Sequence, residues 1–423
     1  MDIFEILESE VRTYCRTWDT VFDRASGSIL YSEDGRDYLD FFSGAGALNY
    51  GHNNPDLLRP LVEYLLSGSI VHSLDMKTVA KRRFLETFNE LILKPRKYDY
   101  KVMFPGPTGT NSVEAALKLA RKVTGRPHVL SFTNAFHGMT LGSLAVTGNS
   151  MKRMGAGVPL TNASSMPYDG FLDGPTADFL WLRHALEDSG SGLDKPAAVI
   201  VETVQGEGGL RAARASWLRG LAELCHQHGI LLIVDDVQAG CGRTGTFFSF
   251  EDAGITPDIV CLSKSISGFG LPLSLTLFKP EHDIWKPGEH NGTFRGHNPA
   301  FVTGTAALER YWGDRTLETE VAGLGKELHE GLTRIAAGTQ GASVRGRGLL
   351  TGIYYPDHQI AGKIAAEAFA LGLLVETSGP DGEVIKTMPA LTIDTDELSR
   401  GLDILAEAAE SVTGGKVAVK SIA

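Results

Sequence analysis

The sequence has few cysteines, no long apolar run and no excess of positive charge. Its 423 residues include four cysteines, none in paired spacing, which argues against a disulfide-stapled secreted protein and favours a reducing compartment. No apolar run approaches the length of a membrane span, and the net charge of −11 offers no basic surface for nucleic acid. The acidic segment 1–8 lacks the features of a signal peptide. We therefore expect a cytoplasmic protein that binds neither nucleic acid nor membrane.

Common catalytic and metal-binding motifs are also missing. There is no Gly-x-Ser-x-Gly elbow and no His-Glu-x-x-His motif, and the nearest approach to a dinucleotide fingerprint, around Gly346, has the wrong spacing. Cys225, His226 and His228 are close in sequence, but two residues of the run 225–228 lie on the wrong face of a helix for a shared metal ion. No metal site is predicted, so an anionic ligand has to be held by local positive charge or by helix ends.

Short apolar runs alternate with helical patterns from about residue 56 to residue 312. This alternation predicts an α/β fold with a mostly parallel central sheet and helices on both faces. Ligands of such sheets bind at the C-terminal ends of the strands. The predicted strands are 101–104, 128–132, 197–201, 230–234, 259–262 and 273–278. The predicted helices are 113–123, 179–187, 217–228 and 300–311.

Three regions are predicted along the chain. Residues 1–55 form an N-terminal segment that packs with the small domain, residues 56–314 form the large domain, and residues 315–423 form a smaller α+β domain. The N-terminal segment is predicted to open with an amphipathic helix that extends to about residue 20. Two strands should follow, joined at Asp34 and Gly35 in a hairpin turn.

Only Ser263 separates Lys264 from the apolar run 259–262, which is typical of a strand buried on both faces. Burial disfavours an ammonium, so a lysine in this place either extends to solvent or serves as an amine neutral enough to form a Schiff base. For an isolated lysine at a strand end, extension to solvent is the better interpretation. The residues at the neighbouring strand ends favour the Schiff-base amine.

The first of these strand ends leads into a helix. Gly109 and Thr110 precede a helix predicted to start at Asn111, which has capping-box spacing with Glu114. Free backbone N–H groups, a hydroxyl and the positive end of a helix together suit a phosphate. An ordinary helix cap accounts for this signal equally well.

An aromatic ring and three carboxylates follow other predicted strands. Phe136, next to His137, is placed to stack on a planar ligand, although a single phenylalanine is more often a core residue. Glu202 and Glu207 either bind a substrate ammonium or remain solvated. Asp235 directly follows an apolar run, where a carboxylate is seldom found unless a cation meets it.

Together these groups form the set that pyridoxal 5'-phosphate requires. The cofactor needs a lysine for the covalent link, a carboxylate that keeps the ring nitrogen protonated, an aromatic ring for stacking and a helix end for the phosphate. Each group taken alone has an ordinary structural explanation. Their joint occurrence at strand ends predicts a pyridoxal-phosphate enzyme.

The sequence resembles the class III, or omega, aminotransferases of the type I pyridoxal-phosphate fold over nearly its whole length. The resemblance implies that Lys264 carries the cofactor and shuttles a proton, that Asp235 holds the ring nitrogen protonated, and that Gln238 bonds the ring oxygen. It also implies a homodimer at least, with active sites shared between subunits. The stretches that carry the resemblance are 48–55, 71–76, 104–111 and 288–296. The other cofactor-binding residues that it implies are Gly109, Thr110, Phe136, His137 and, from the neighbouring subunit, Thr293.

The resemblance is less specific about the substrate. Glu202 and Glu207 match the active-site glutamates of the class, one of which is thought to mask an arginine. Many members carry that arginine in the C-terminal strand, where this sequence has Lys386 instead. A lysine lacks the bidentate fork of arginine. The candidate carboxylate partners are Lys386, Arg243 and Arg295, and the resemblance places Asn49 and Tyr50 over the substrate pocket.

The function implied is amino transfer between L-glutamate and L-aspartate 4-semialdehyde, which gives L-2,4-diaminobutyrate and 2-oxoglutarate, as in ectoine biosynthesis. The alternative is another omega-aminotransferase that uses ornithine, 4-aminobutyrate or a specialised-metabolite aldehyde. Racemases, aminomutases and decarboxylases of this fold share the cofactor residues. A cofactor-free assembly protein on the same fold is disfavoured by the presence of Lys264, Asp235 and Gln238.

Overall fold

The computed structural model describes residues 2–172 and 179–415 and has an α/β architecture. The predicted hairpin is confirmed, with antiparallel strands on either side of Asp34 and Gly35. The predicted helix up to about residue 20 is wrong. The first helix ends at Leu7 and buries none of its residues, so it gains no packing to extend it. The opening elements are α1 (Ile3–Leu7), α2 (Tyr14–Thr17), β1 (Phe22–Ser26), β2 (Ile29–Ser32), β3 (Asp37–Asp40) and the left-handed turn α3 (Ser43–Gly46).

A large sheet dominates the middle of the chain. Its strands are β4 (Lys101–Met103), β5 (Val129–Phe132), β6 (Ala163–Met166), β7 (Ala198–Val201), β10 (Leu231–Asp235), β11 (Ile259–Leu262) and β12 (Leu275–Phe278). The intervening β8 (Val204–Gln205) and β9 (Arg211–Ala212) pair separately. Within the described residues the sheet has seven strands in the order β4-β12-β11-β10-β7-β5-β6, and β12 runs antiparallel to both of its neighbours. The six predicted strands are all present, which confirms the predicted α/β class.

Helices alternate with the strands of this sheet along the chain. They are α4 (Pro55–Leu66), α5 (Val79–Phe88), α6 (Lys94–Arg96), α7 (Gly109–Thr124), α8 (Leu141–Ala145), α9 (Ser150–Met154), α10 (Leu180–Glu187), α11 (Ala215–His228) and α12 (Asn298–Tyr311). Strands β5, β7, β10 and β11 are buried along their whole length. Burial on both faces explains why their sequences read as continuous apolar runs. The four predicted helices correspond to α7, α10, α11 and α12.

The last third of the chain forms a second, smaller sheet. Its elements are α13 (Thr316–Ala336), β13 (Ser343–Arg347), β14 (Leu350–Tyr354), α14 (His358–Ala370), β15 (Leu373–Leu374), β16 (Glu376–Ser378), β17 (Val384–Thr387) and α15 (Thr395–Thr413). Strands β13, β14, β17 and β16 are antiparallel neighbours in that order. Strand β15 instead pairs in parallel with β3 from the N-terminal segment. Both ends of the chain therefore contribute to one sheet.

The three predicted regions stay a prediction, and residues 1 and 416–423 at their outer ends lie outside the described residues. In the part of the chain that the structure describes, no helix has the length and apolar character needed to cross a membrane. The same residues contain no cluster of three or more histidine, cysteine, aspartate and glutamate side chains arranged to hold a metal ion.

Candidate active site

A cavity of about 180 Å³ opens at the C-terminal ends of β5, β7, β10 and β11. The topology places it there because parallel strands end at the same edge of the sheet. Nine of the residues singled out from the sequence line this cavity, although they come from widely separated stretches. They are Gly109, Thr110, Phe136, His137, Glu202, Glu207, Asp235, Gln238 and Lys264.

Lys264 begins a short 3₁₀ turn after β11, with Ser263 between the strand and the turn. Its backbone has a φ of 51°, a left-handed conformation that is uncommon for a residue with a side chain. Strain of this kind persists only where the surroundings hold it. Burial lowers the pKa of Lys264 to about 8, although the negative charge of Glu207 opposes the shift. An appreciable fraction of the amine is therefore neutral near pH 8, as a nucleophilic amine requires.

Asp235 is the last residue of β10 and is held by a buried histidine. Its Oδ2 lies 2.7 Å from Nδ1 of His137, and its Oδ1 accepts a hydrogen bond of 3.2 Å from the Val237 N–H. Burial acts to lower the pKa of His137, but the hydrogen bond to Asp235 and the charge of that carboxylate outweigh it, and the pKa is raised. His137 also fixes its own backbone, because its N–H donates to Thr147. The pair keeps a negative charge facing the cavity in one orientation.

Helix α7 presents its N-terminus to the cavity. The helix begins at Gly109 rather than at the predicted Asn111, because Oδ1 of Asn111 accepts hydrogen bonds from both the N–H and the hydroxyl of Thr108. Glu114, the expected capping partner, instead accepts hydrogen bonds from the Thr140 hydroxyl and the Ser143 N–H. The first N–H groups of the helix, including those of Gly109 and Thr110, have no acceptor within the helix.

Glycines leave room around this helix end. A Cβ at Gly109 would lie 2.9 Å from Cγ1 of Val237, and a Cβ at Gly138 would lie 2.4 Å from the Thr110 hydroxyl oxygen. The Thr110 hydroxyl itself is within 2.8 Å of the hydroxyl oxygens of Thr140 and Ser143. Hydroxyls, free N–H groups and a helix N-terminus in one cradle form a good anion site.

Glu202 and Gln238 complete the walls of the cavity. Glu202 is buried and accepts hydrogen bonds from the N–H groups of Phe136 and Gly206, at 2.9 and 3.3 Å. Burial raises the pKa of Glu202 to about 7. Gln238 donates through Nε2 to the Ala45 carbonyl at 3.1 Å, while its Oε1 is buried and has no hydrogen-bond partner in the described part of the chain. That oxygen is available to a ligand.

A lysine held between two glutamates lies next to the cavity. Nζ of Lys386 is 2.8 Å from Oε1 of Glu207 and 2.9 Å from Oε1 of Glu376, and the lysine side chain is fully buried. Burial raises the pKa of Glu207, but the charge of Lys386 outweighs it and brings that pKa to about 2. The Tyr14 hydroxyl donates to Oε2 of Glu376 at 3.3 Å. Glu376 and Tyr14 were not predicted from the sequence. Glu376 pairs with Lys386 across β16 and β17, a register that only the folded sheet reveals.

Two of the predicted substrate residues lie in the core beside the cavity and do not line it. Asn49 is buried and bonds the Cys241 carbonyl and the Arg243 guanidinium. Tyr50 accepts a hydrogen bond from the Trp312 indole and stacks on Tyr311. Their contacts in the structure are those of packed core residues.

The remaining predicted residues are divided between the core and the surface. Arg243 is fully buried and donates to the carbonyls of Leu349 and Pro389. Arg295 donates to the His290 carbonyl and to the Asn291 side chain. Thr293 is exposed, outside the lining of the cavity, and its assignment to a neighbouring subunit stays a prediction.

The lining residues fit pyridoxal 5'-phosphate. Lys264 offers an amine, Asp235 a fixed negative charge for a ring nitrogen, and the N-terminus of α7 a phosphate cradle. His137 Nε2 and Gln238 Oε1 are buried polar atoms that have no hydrogen-bond partner among the described residues, as expected where a ligand supplies one. A folded α/β sheet with this constellation at its strand ends defines a pyridoxal-phosphate-dependent enzyme.

The chain belongs to the class-III aminotransferase family. Residues 13–409 match the sequence pattern of that family, Aminotransferase class-III. A diaminobutyrate–2-oxoglutarate transaminase of Streptomyces avermitilis is 63% identical over 411 residues, which are 96% of this chain and 97% of the relative. A protein of the same name from Halalkalibacterium halodurans is 57% identical over 418 residues, 98% of each chain.

Solved structures share the fold at lower sequence identity. The acetylornithine aminotransferase from Elizabethkingia anophelis superposes with a TM-score of 0.77 at 25% identity, covering 97% of each chain. A transaminase from the marine bacterium Virgibacillus superposes with a TM-score of 0.84 at 21% identity, covering 97% of this chain and 98% of that one. The family depends on pyridoxal 5'-phosphate.

Proposed function

We propose that this aminotransferase moves an amino group between L-glutamate and L-aspartate 4-semialdehyde and yields L-2,4-diaminobutyrate and 2-oxoglutarate. The similarity to named diaminobutyrate transaminases over nearly the full chain supports this reaction. The observation in the structure that carries the proposal is the position of Glu207. Its ionised carboxylate lines the same cavity as Lys264 and retains about a quarter of its side-chain surface exposed. Diaminobutyrate has an α-ammonium for that carboxylate to bind, whereas 4-aminobutyrate has none.

The residues of the chain have separate tasks in this reaction. Pyridoxal 5'-phosphate, when bound, supplies an aldehyde for the covalent link and a ring that accepts electrons. Lys264, with a pKa of about 8, is suited to carry a proton to and from the carbon that bears the reacting amine. Asp235, oriented by His137, is placed to keep a ring nitrogen protonated. The N-terminus of α7 would hold the phosphate of the cofactor.

Glu207 has a further task that depends on Lys386. Glutamate carries a carboxylate on the reacting carbon, and diaminobutyrate carries none there. When glutamate binds, displacement of Glu207 would expose Lys386 to that carboxylate, while Glu376 keeps the lysine paired. When diaminobutyrate binds, Glu207 stays on Lys386. One cavity then accepts both substrates in turn.

We also propose that the enzyme is a cytoplasmic homodimer that serves ectoine biosynthesis. The Thr293 carbonyl accepts a hydrogen bond of 2.8 Å from His72, which joins the segments around these two residues. Both segments carry exposed apolar side chains. These apolar residues are Ile70, Val71, Leu74, Met76 and Phe294. A second copy of the chain would cover them and bring Thr293 to its phosphate.

A coupled assay of the purified enzyme tests the reaction. Diaminobutyrate, ornithine and 4-aminobutyrate are each offered with 2-oxoglutarate, and glutamate formation is measured. We expect diaminobutyrate to be preferred over 4-aminobutyrate by about a hundredfold in kcat/KM, because its α-ammonium gains a charge-assisted bond to Glu207, worth about 1.5–3 kcal/mol, that 4-aminobutyrate cannot form. Lys264→Ala, which removes the amine, is the inactive control. Equal values for the two amines, or a preference for ornithine, would disprove the proposed substrate.

A further inference from the structure

Lys152 is a cation beside the cavity that the sequence did not single out. It lies in the short helix α9, which Asn149 caps, and it is half-buried. Its Nζ lies 4.3 Å from the centroid of the Phe136 ring, and Phe136 lines the cavity. No carboxylate of the described residues lies within salt-bridge distance of this ammonium. Its charge therefore lies against a ring that lines the cavity and, among the described residues, has no carboxylate partner, so it is available to a ligand.

The other cations around the cavity are already engaged. Lys386 is fully buried between two glutamates. Arg243, deep in the core, donates its hydrogen bonds to backbone carbonyls and to Asn49. Arg295 donates to the His290 carbonyl and to the Asn291 side chain in its own loop. Lys264 serves the covalent link. None of these four cations is therefore free to bind a substrate carboxylate that lies far from the reacting carbon.

Both proposed substrates carry such a carboxylate at the same distance. In diaminobutyrate the reacting amine is on C4 and the carboxylate carbon is C1. In glutamate the reacting amine is on C2 and the side-chain carboxylate carbon is C5. Each carboxylate carbon is thus three carbons from the carbon that reacts. We propose that Lys152 binds this shared distal carboxylate and so determines specificity for both half-reactions. This inference rests on the proposed function.

The charge of Glu207 is also relevant to the assignment. In diaminobutyrate the α-carbon carries both the carboxylate and an ammonium, so a cation and an anion that bind them have to lie close together. Beside burial and the nearer Lys386, the positive charge of Lys152 contributes to the pKa of Glu207, which places the two charges within electrostatic reach. The glutamate carbon in the same place is a methylene, which needs no anion. Lys152 is therefore shared by both substrates, and Glu207 distinguishes them.

The test uses the holoenzyme and a neutral variant of similar length, Lys152→Met, which keeps the packing on Phe136. For both diaminobutyrate and glutamate, KM should rise about 10–100-fold, the effect of losing one charge-assisted hydrogen bond, with kcat within about twofold. Two truncated amines serve as comparators, since 1,3-diaminopropane is diaminobutyrate without its carboxylate and 2-aminobutyrate is glutamate without its distal carboxylate. Their kcat/KM values should not change.

Controls separate substrate binding from support of the cofactor or the fold. Lys152→Arg should retain most of the affinity, and Arg153→Met, an exposed neighbour on the same helix, should behave as wild type. Glutarate, which has both carboxylates of glutamate and no amine, should bind the Lys152→Met holoenzyme about tenfold or more weakly in calorimetry. Cofactor content should be the same in all variants.

Two results would overturn the inference. One is an unchanged KM for glutamate and diaminobutyrate in Lys152→Met. The other is an equal loss with 1,3-diaminopropane and 2-aminobutyrate or a loss of bound cofactor, which would assign Lys152 to the cofactor or to packing. If the wild type does not react with diaminobutyrate, the proposed function fails, and the role of Lys152 is then decided by glutamate, 2-aminobutyrate and glutarate alone.

Discussion

At the scale of single residues, the site depends on charges whose positions are fixed by neighbours. Asp235 is buried, and its two oxygens are bonded to His137 and to the Val237 N–H. An asparagine occupies the same volume but brings no negative charge to a ring nitrogen. The carboxylate is needed for its charge rather than for its shape.

We expect Asp235→Asn to retain cofactor and fold but to lose at least about a hundredfold in kcat, because one preorganised charge at a reacting group is worth that much or more. Cofactor content from the absorption spectrum and turnover with glutamate are measured on the same preparation. Asp235→Glu, which keeps the charge, is the control. Turnover near that of the wild type in Asp235→Asn would refute the role of this carboxylate.

Asp236, the next residue, gives a pH-dependent prediction. It is buried and accepts hydrogen bonds from the Ser249 N–H and hydroxyl, and burial raises its pKa to about 7. The folded protein therefore binds this proton more tightly than the unfolded chain, where the pKa is about 4. The stability that results is fully present below about pH 4 and is lost as the pH rises to about 7.

Asp236→Asn has no proton to lose, and its amide can still serve Ser249. The free energy of unfolding of Asp236→Asn, relative to that of the wild type, should therefore increase between about pH 4 and pH 7. The increase should be on the order of 2–4 kcal/mol, since each unit of pKa difference is worth about 1.4 kcal/mol. Urea titrations of both proteins at several pH values provide the measurement. A difference that stays constant over this range would contradict the raised pKa.

At the scale of elements, the antiparallel pair of β16 and β17 positions the buried ion cluster. Glu376 lies directly opposite Lys386 in the register of the two strands, and Lys386 extends to Glu207 on the other side. A buried ion pair adds little net stability, but removal of one partner leaves uncompensated charge in the interior. Here removal of the lysine would leave two carboxylates.

Lys386→Met should lower the free energy of unfolding by about 3–5 kcal/mol near pH 7. The double variant Lys386→Met/Glu376→Gln should recover part of the loss, because one of the two stranded carboxylates is gone. Denaturant midpoints of the two variants and the wild type give the comparison. Equal stability of wild type and Lys386→Met would show that solvent reaches this cluster.

The elements also show which features a sequence reveals. Strands β7, β10 and β11 were predictable because burial on both faces makes a continuous apolar run. Strand β6 was not, since its sequence Ala-Ser-Ser-Met at 163–166 is half polar and extends the edge of the sheet. The start of α7 was misplaced by two residues, because Asn111 caps the helix from inside rather than from its end.

The residues of the candidate site also fall into two groups, those that the sequence reveals and those that it does not. Lys264, Asp235, Gly109 and Thr110 lie at strand ends or within a few residues of them, so the rule that ligands bind at strand ends points to them. Lys152 and Glu376 carry no such signal. Lys152 depends on the position of α9 over Phe136, and Glu376 on a cross-strand register, and both are set by packing between parts of the chain distant in sequence.

At the scale of the whole molecule, the proposed dimer links assembly to cofactor binding. If Thr293 binds the phosphate in the other subunit, Thr293→Ala should weaken cofactor affinity by about 1–3 kcal/mol, the value of one bond to a charged group. Thr293→Ser keeps the hydroxyl and should behave as wild type. Affinity should also fall on dilution, as dimers dissociate. Full affinity in a monomer would argue against a shared site.

The sheet that joins both ends of the chain has a consequence for synthesis on the ribosome. Strands β1, β2 and β3 emerge first, yet the edge of β3 is completed by β15, which is translated near the end. Throughout most of translation, the nascent chain therefore carries an unpaired strand edge that invites association with other chains. Chaperones that shield this early hairpin should matter more for the yield of the protein than for its stability once released.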